Sequence, residues 1–519
     1  MTYRPRHRPK HRRALYAAAG AVLALIAAVI VLTATAYDGA VGAAPVELSA
    51  APLGVNVGPS DGVYAANTSA GGGAETIQPL LKAAGIGQLR YGGGSYADIY
   101  DWQTNTDASN CQPDITEASF TSSCASSDPL GFSQFSRQAR VIGADSFVTV
   151  NYGSGTPAEA AAWVAQAART PGEGVALWEV GNETYGCWEV NNELAGAPAH
   201  YSGYAPSNQR CPQTTQGNAA GTQTLASSYA ANAQRFLRAM KAADPSARIG
   251  VPWALGDEGQ GSGVPDSSEW NHTVLGADGK DISFVDVHYY PFNFSGSTGG
   301  ANPTDQQILR VLRQIPSIQA SIRTELNTYD PSASVVVGEA GVSNNATMAS
   351  CTPVGALFAA GDALSWLAAG VESVDWWDLN SSGNTASRCV QPDFGFFTSS
   401  APPATQTPYY GYLLASRLAK PHAQLSTLVT SQPSDVLAFQ SVLPDGRRAV
   451  ALININTRSA RTVTFPASGA LSGTLRTWSY SAGKQNSANS AIVTGTMSAG
   501  TIAHGITLPA ESITILETR

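Results

Sequence analysis

Charged side chains are scarce in this sequence. Asp, Glu, Lys and Arg make up 13% of its 519 residues, against about a quarter in an average domain. Ser, Thr, Asn, Gly and Ala must therefore fill many water-facing positions, as is common in extracellular proteins. The basic residues that exist form no stripe. Six of the 30 Lys and Arg precede residue 45, and beyond it 24 basic residues face 37 acidic ones, a balance of −13. So acidic a body argues against nucleic-acid binding and suits a neutral substrate. Cysteine is also sparse, with six residues and no CxxC pair, which weakens zinc and redox readings. No GxGxxG follows the first apolar run, so an open dinucleotide-binding sheet lacks its signature. HExxH, GxSxG and DxDxDG patterns are missing too, which disfavours metallohydrolase and serine-hydrolase chemistry. No tandem repeat or long low-complexity linker interrupts the chain.

What is present begins with an export pattern. Arg4, Arg6, Arg8, Lys10, Arg12 and Arg13 precede an apolar run from Ala14 to Ala36. A basic flank, an apolar stretch and small residues are the marks of an export signal. At about 22 residues the run is also long enough to span a bilayer. Residues 1–44 are thus read as a signal peptide, cut near Ala36 or Ala43–Ala44, or as a membrane anchor. Either outcome places the remainder outside the cell, secreted or anchored, with membrane contact only through this segment. An even number of cysteines in an exported chain implies disulfides. Pairing neighbours gives Cys111–Cys124, Cys187–Cys211 and Cys351–Cys389, one of 15 connectivities.

From residue 45 to about 420, β-rich runs alternate with helical stretches. The runs are Leu53–Val57, Gln88–Tyr91, Ser146–Asn151, Val175–Val180, Arg248–Trp253, Ile282–Tyr290, Ser334–Gly338 and Val371–Leu379. Helical composition marks Ala74–Ala84, Pro157–Ala168, Thr224–Ala243, Thr304–Asn327 and Val354–Ala369, and more weakly Asp257–Lys280. Eight strands alternating with helices predict a (β/α)8 barrel. After residue 420 only short β-rich segments remain, Val436–Val442, Arg448–Ile455, Arg461–Phe465, Thr474–Tyr480 and Ile513–Leu516. These predict a C-terminal antiparallel β-sandwich over 421–519, to which the stretch 45–52 could add a strand.

A barrel of this kind works at the C-terminal ends of its strands. The polar residues there are Arg90, Asn151, Asn182 with Glu183, His288 with Tyr290, Glu339, and Trp376 with Trp377. Two carboxylates on separate strand ends suffice to hydrolyse a glycosidic bond, one protonating the leaving oxygen and one trapping the oxocarbenium-like centre. Glu183 ends an apolar strand after Gly181-Asn182, and Glu339 follows Val335-Val336-Val337-Gly338. Glu179 and Glu189, close by, read as structural. Adjacent residues on a strand point to opposite faces, so at most one of Trp376 and Trp377 can line the pocket.

The segment Trp178-Glu179-Val180-Gly181-Asn182-Glu183 resembles the fourth-strand motif of clan A glycoside hydrolases, and Glu339 stands where that clan ends its seventh strand in a nucleophile. The resemblance implies double displacement with retention, Glu183 as acid/base, Glu339 as nucleophile, and Asn182 on the sugar 2-hydroxyl. It implies no cofactor or metal, a carbohydrate as the only partner, and leaves the oligomeric state open. Within the clan the chain is most similar to α-L-arabinofuranosidases. The likeness lies in Arg90-Tyr91-Gly92-Gly93-Gly94-Ser95, the following Tyr100-Asp101-Trp102, Gly186-Cys187-Trp188 and His288-Tyr289-Tyr290. Arg90, Asn151, His288, Tyr290, Trp376 and Trp377 are then expected around the substrate. Gly92 and Ser95 depart from that family's Pro and Asn, and Gly338-Glu339-Ala340-Gly341 from its Asp-Glu-Trp. An endo-β-glycanase, β-xylosidase or β-glucuronidase of the same clan is the alternative enzyme. A non-catalytic carbohydrate-binding cell-surface protein is the alternative of another class.

Overall fold

A computed structural model describes residues 44–67, 74–111, 117–186, 189–190, 219–255, 267–292, 303–380, 392–399, 403–465, 471–481 and 492–519. The signal or anchor reading of residues 1–44 lies outside them, apart from residue 44. Among the described residues no helix is long and apolar enough to cross a membrane.

Eight parallel strands close a barrel in chain order: Leu53–Val57, Gln88–Tyr91, Asp145–Val150, Leu177–Val180, Ile249–Trp253, Phe284–Tyr289, Ser334–Ala340 and Val374–Trp376. Each run expected from the sequence supplies one strand. The eighth is shorter than expected because the chain leaves the sheet after Trp376 and pairs instead through loop contacts such as Leu379 N–H to the Asn56 carbonyl. The fifth connection, the least helical in sequence, contains helix Ser267–Asp278. The expected helix over 304–327 is divided into Asp305–Val311 and Ile315–Leu326 by a single 3-10 turn. Pro316, in the first turn of the second helix, has no N–H to continue the first. Helix Phe132–Ile142 carries no strong apolar run. It buries Phe132, Phe135, Ala139 and Ile142 on one face and stops at the left-handed Gly143.

Beyond the barrel a seven-stranded antiparallel sheet runs in the order Val46–Glu47, Gln424–Thr427, Val436–Val442, Arg448–Asn454, Ser512–Thr518, Thr474–Ser481, Val493–Ser498. One face, with Phe439, Ala451, Ile453, Ile513 and Ile515, joins the barrel core. The other, with Ala438, Val450, Leu452 and Leu516, packs on Val463, Ile506 and Leu508. Those three belong to a separate two-stranded sheet, Arg461–Val463 with Ile506–Leu508. Among the described residues the sandwich is thus unequal, seven strands against two. Strand Val493–Ser498 is nearly all exposed, so it shows none of the apolar alternation by which a half-buried strand is read. Helix Pro353–Ala368 is buried along its whole length. The helix packs on the eighth barrel strand and also on strands Gln424–Thr427 and Val436–Val442 of the sheet, so it is a layer between barrel and sheet, and its all-round apolar sequence follows.

Cys111 and Cys124 are bonded, with Cα atoms 5.0 Å apart, and pack with Ile99, Ala108, Phe120 and Val190. The other two expected pairs fall outside the described residues: Cys187, Cys211 and Cys389 are not described, and of Cys351 only the backbone is.

Candidate active site

The barrel interior follows from the two-residue period of its strands. Phe147, Leu177, Phe284 and Val336 form one apolar layer. Two residues further along, the inward positions turn polar: Arg90, Thr149, Glu179 and Asp286. Glycines make room for this layer. A Cβ on Gly338 would lie 2.2 Å from the Asp286 carboxylate, and one on Gly93 would lie 2.4 Å from Arg90.

Arg90 is fully buried and organises the strand ends. Nη1 donates to Glu339 Oε1 at 2.8 Å and to Asn56 Oδ1 at 3.0 Å. Nη2 donates to Glu179 Oε2 at 2.8 Å and to Asn182 Oδ1 at 3.0 Å. Nε lies 3.6 Å from Asp286. Burial opposes its charge, but Glu179, Asp286 and Glu339 outweigh that and hold it charged. Burial pushes Glu179 up to about 8, against the pull of Arg90.

Glu339 ends the seventh strand, 4% exposed. Arg90 holds one of its oxygens, and Tyr290 donates to the other at 2.7 Å. Burial and then the charge of Glu339 keep the Tyr290 hydroxyl far above its ordinary range, so it stays a donor. Glu183 has backbone φ of +42°, a left-handed conformation rare outside glycine and frequent at functional sites. Its Oε1 meets His288 Nδ1 at 2.9 Å and accepts from Tyr185 at 3.2 Å. His288 Nδ1 also lies 3.5 Å from Glu339, and Nε2 3.4 Å from Asp286. Burial works against an imidazolium, yet Glu339, Asp286 and Glu183 raise His288 well above its usual range. Ligand atoms of Glu183, His288 and Glu339 all lie within 4.8 Å of one another, as do those of Glu179, Asp286 and His288. Either trio could hold a cation by spacing, but the charges of Arg90 and His288 already answer these carboxylates.

The structure thus gathers Arg90, Asn182, Glu183, His288, Tyr290 and Glu339. Asn182 is 1% exposed. Its oxygen accepts from Arg90 and from Gly94 N–H, and its nitrogen donates to Glu189 at 3.1 Å. Glu189 is buried and also accepts from Ser95 at 2.7 Å. Trp377 is half-buried and lies over Gly94 beside the second strand end. Two expected substrate contacts are placed elsewhere. Trp376 is buried, stacked near Phe396, and donates its N–H to the Phe394 carbonyl at 2.8 Å. Asn151 uses its amide on Ser154 and Gly155 of its own loop and on the Tyr100 carbonyl of the loop after the second strand. Asn56, Asp286 and Tyr185 were not anticipated. Period-two counting along the sixth strand, Phe284, Asp286, His288, would have found Asp286, and the same count on the first strand puts Asn56 with Gly54.

No protein-family model matches the sequence, and no curated protein matches it. Solved structures do. An α-L-arabinofuranosidase from Thermotoga maritima in complex with arabinose superposes with a TM-score of 0.65 at 16% identity, over 92% of this chain and 98% of its own. A family 51 α-L-arabinofuranosidase from Bifidobacterium longum gives 0.64 at 16%, over 93% and 98%. A family 44 endoglucanase from Clostridium thermocellum gives 0.55 at 13%, over 92% and 97%. The chain therefore has the barrel-and-β-domain fold of clan A glycoside hydrolases. It shares that architecture with the two arabinofuranosidases over 92% and 93% of its own length and 98% of theirs.

Proposed function

We propose that this protein is a retaining glycoside hydrolase that removes α-L-arabinofuranosyl units from polysaccharide or oligosaccharide outside the cell. The observation that carries the reading is the carboxylate pair. Glu183 and Glu339 end the fourth and seventh strands and bring oxygens within 4.8 Å of each other. Retaining enzymes hold their carboxyls about 5–5.5 Å apart, whereas inverting ones leave about 6.5–9.5 Å for a water.

The two environments divide the labour. Arg90 and Tyr290 each donate to one oxygen of Glu339, which gives the nucleophile one orientation. Attack forms a glycosyl ester on Glu339 as Glu183 passes its proton to the departing oxygen. Glu183, held by His288 and Tyr185, then takes a proton from the water that breaks the ester, and the cycle closes with the anomeric configuration retained. Asn182, anchored on Arg90 and Glu189, has one amide hydrogen left for the sugar 2-hydroxyl. The arabinofuranose specificity draws support from the sequence motifs around Arg90 and His288 and from TM-scores of 0.63–0.66 to arabinofuranosidases against 0.52–0.58 to glucanase and xylanase structures. The basic flank and apolar run before residue 37 support an extracellular site of action.

The test is turnover of aryl α-L-arabinofuranoside, β-xyloside, β-glucoside and β-glucuronide by the full-length protein beside its Glu183→Gln and Glu339→Gln variants. Cleavage of the arabinofuranoside, with both variants slowed by at least about 100-fold, is the expected result. Preference for another glycoside would overturn the sugar assignment. Shortening of a soluble polysaccharide without aryl glycoside cleavage would make the enzyme endo-acting. Silence on all substrates would favour the non-catalytic binding protein.

A further inference from the structure

The loop that follows the second strand builds a cleft of about 590 Å3 away from the carboxylate pair, between Trp102, helix Phe132–Ile142 and helix Pro157–Arg169. Trp102 forms one wall. Its ring lies flat on Trp163, centroids 5.3 Å apart and planes 12° from parallel, and its indole N–H turns inward to the Glu159 carbonyl at 3.4 Å. With Trp163 packed on the ring and the N–H bonded, the half-buried Trp102 lines the cleft. Around it stand Gln103 and Arg137, both exposed, and Gln134 and Gln166, both half-buried. Gln134 and Gln166 use their nitrogens on the Ala65 carbonyl and on Glu173, which leaves amide oxygens to accept. Among the described residues no Asp or Glu lines the cleft, although acidic residues outnumber basic ones by 37 to 24 after residue 44.

These groups match one chemistry. A sugar ring offers an apolar C–H face that lies well on an aromatic plane. Its hydroxyls both donate and accept, which primary amides and a guanidinium answer together. A neutral chain needs no opposite charge, and the cleft volume is that of a small-molecule site. The loop after the second strand and the N-terminus of helix Phe132–Ile142 share the end of the barrel that carries Glu183 and Glu339, and the cleft runs from there along the barrel's flank to Gln166, near the end of helix Pro157–Arg169. We propose that this cleft is a second, non-catalytic site that holds one or two sugar units of a neutral polysaccharide while another part of the chain reaches the barrel mouth. The choice of an arabinose-bearing polysaccharide as probe rests on the function proposed above.

The experiment pairs two readouts. In native gels containing soluble arabinoxylan or arabinan, the full-length Glu339→Gln protein, which leaves the polymer intact, is compared with the same protein carrying Trp102→Ala or the exposed pair Gln103→Ala and Arg137→Ala. The second combination touches no core contact and guards against a folding defect. Both should weaken retardation about three- to tenfold. In the otherwise wild-type background, aryl arabinofuranoside kcat/KM should stay within about twofold, while KM for the polymer rises. Unchanged retardation in the pair variant, or an equal loss of small-substrate turnover in both, would overturn the cleft as a sugar site. Absence of both aryl glycoside turnover and polymer shortening in the parent would overturn the glycosidase reading instead, and the gel result would still decide the cleft.

Discussion

Arg90 shows how much one side chain can arrange. A planar guanidinium with five donors reaches Glu339, Asn56, Glu179 and Asn182 at once. The motif around it depends on small neighbours, since Gly93 has no room for a Cβ beside that guanidinium. Tyr290 does a simpler job, one hydrogen bond to Glu339 Oε2 at 2.7 Å. A bond to a charged group contributes about 1.5–3 kcal/mol, so Tyr290→Phe should lower kcat/KM roughly 10- to 100-fold with little change in Tm. An unaltered kcat/KM in steady-state assays would show that Arg90 alone orients Glu339.

At the scale of elements, the strand ends were legible because each apolar run stops at a polar residue, and barrel geometry collects those stops on one face. The neighbouring Trp376 and Trp377 divided as strand alternation requires, one into the core and one beside the site. The charged layer beneath the site was not legible. Glu179 read as structural on local grounds, and its partner Arg90 is 89 residues away; only closure of the barrel joins them. Asn151 misled because a loop-closing Asn and a substrate-binding Asn look alike at a strand end. The glycines of this layer give a direct prediction. Gly338 N–H donates to Asp286 at 2.6 Å, and an added Cβ would lie 2.2 Å from that carboxylate. Gly338→Ala must push Asp286 away from Arg90 and His288, so it should cost about 1–3 kcal/mol of stability and reduce activity as well. Chemical denaturation and turnover measured on the same preparation would check both; an unchanged midpoint would mean that the layer yields at no cost.

For the whole molecule, the polar barrel interior links stability to pH. Asp375 is fully buried, with Gln88 donating to its Oδ2 at 2.9 Å. Burial raises it from 3.8 to about 8, opposed by the bond from Gln88. A folded value above the unfolded one means the native state holds a proton that the unfolded chain releases. The stabilisation is therefore complete below about pH 4 and lost as pH rises through about 8. Asp375→Asn has no proton to lose, so its Tm should fall less than that of the wild type between about pH 6 and 9, by the equivalent of at least about 1 kcal/mol. Parallel Tm curves across that range would show that Asp375 is ionised in the fold.

The same molecule-wide view returns to the carboxylate pair, because the closed barrel sets the separation of Glu183 and Glu339. Proton NMR of the sugar first released from aryl α-L-arabinofuranoside, recorded before mutarotation, reads that separation as stereochemistry. The account predicts that the α-anomer appears first. First appearance of the β-anomer would contradict double displacement through Glu339.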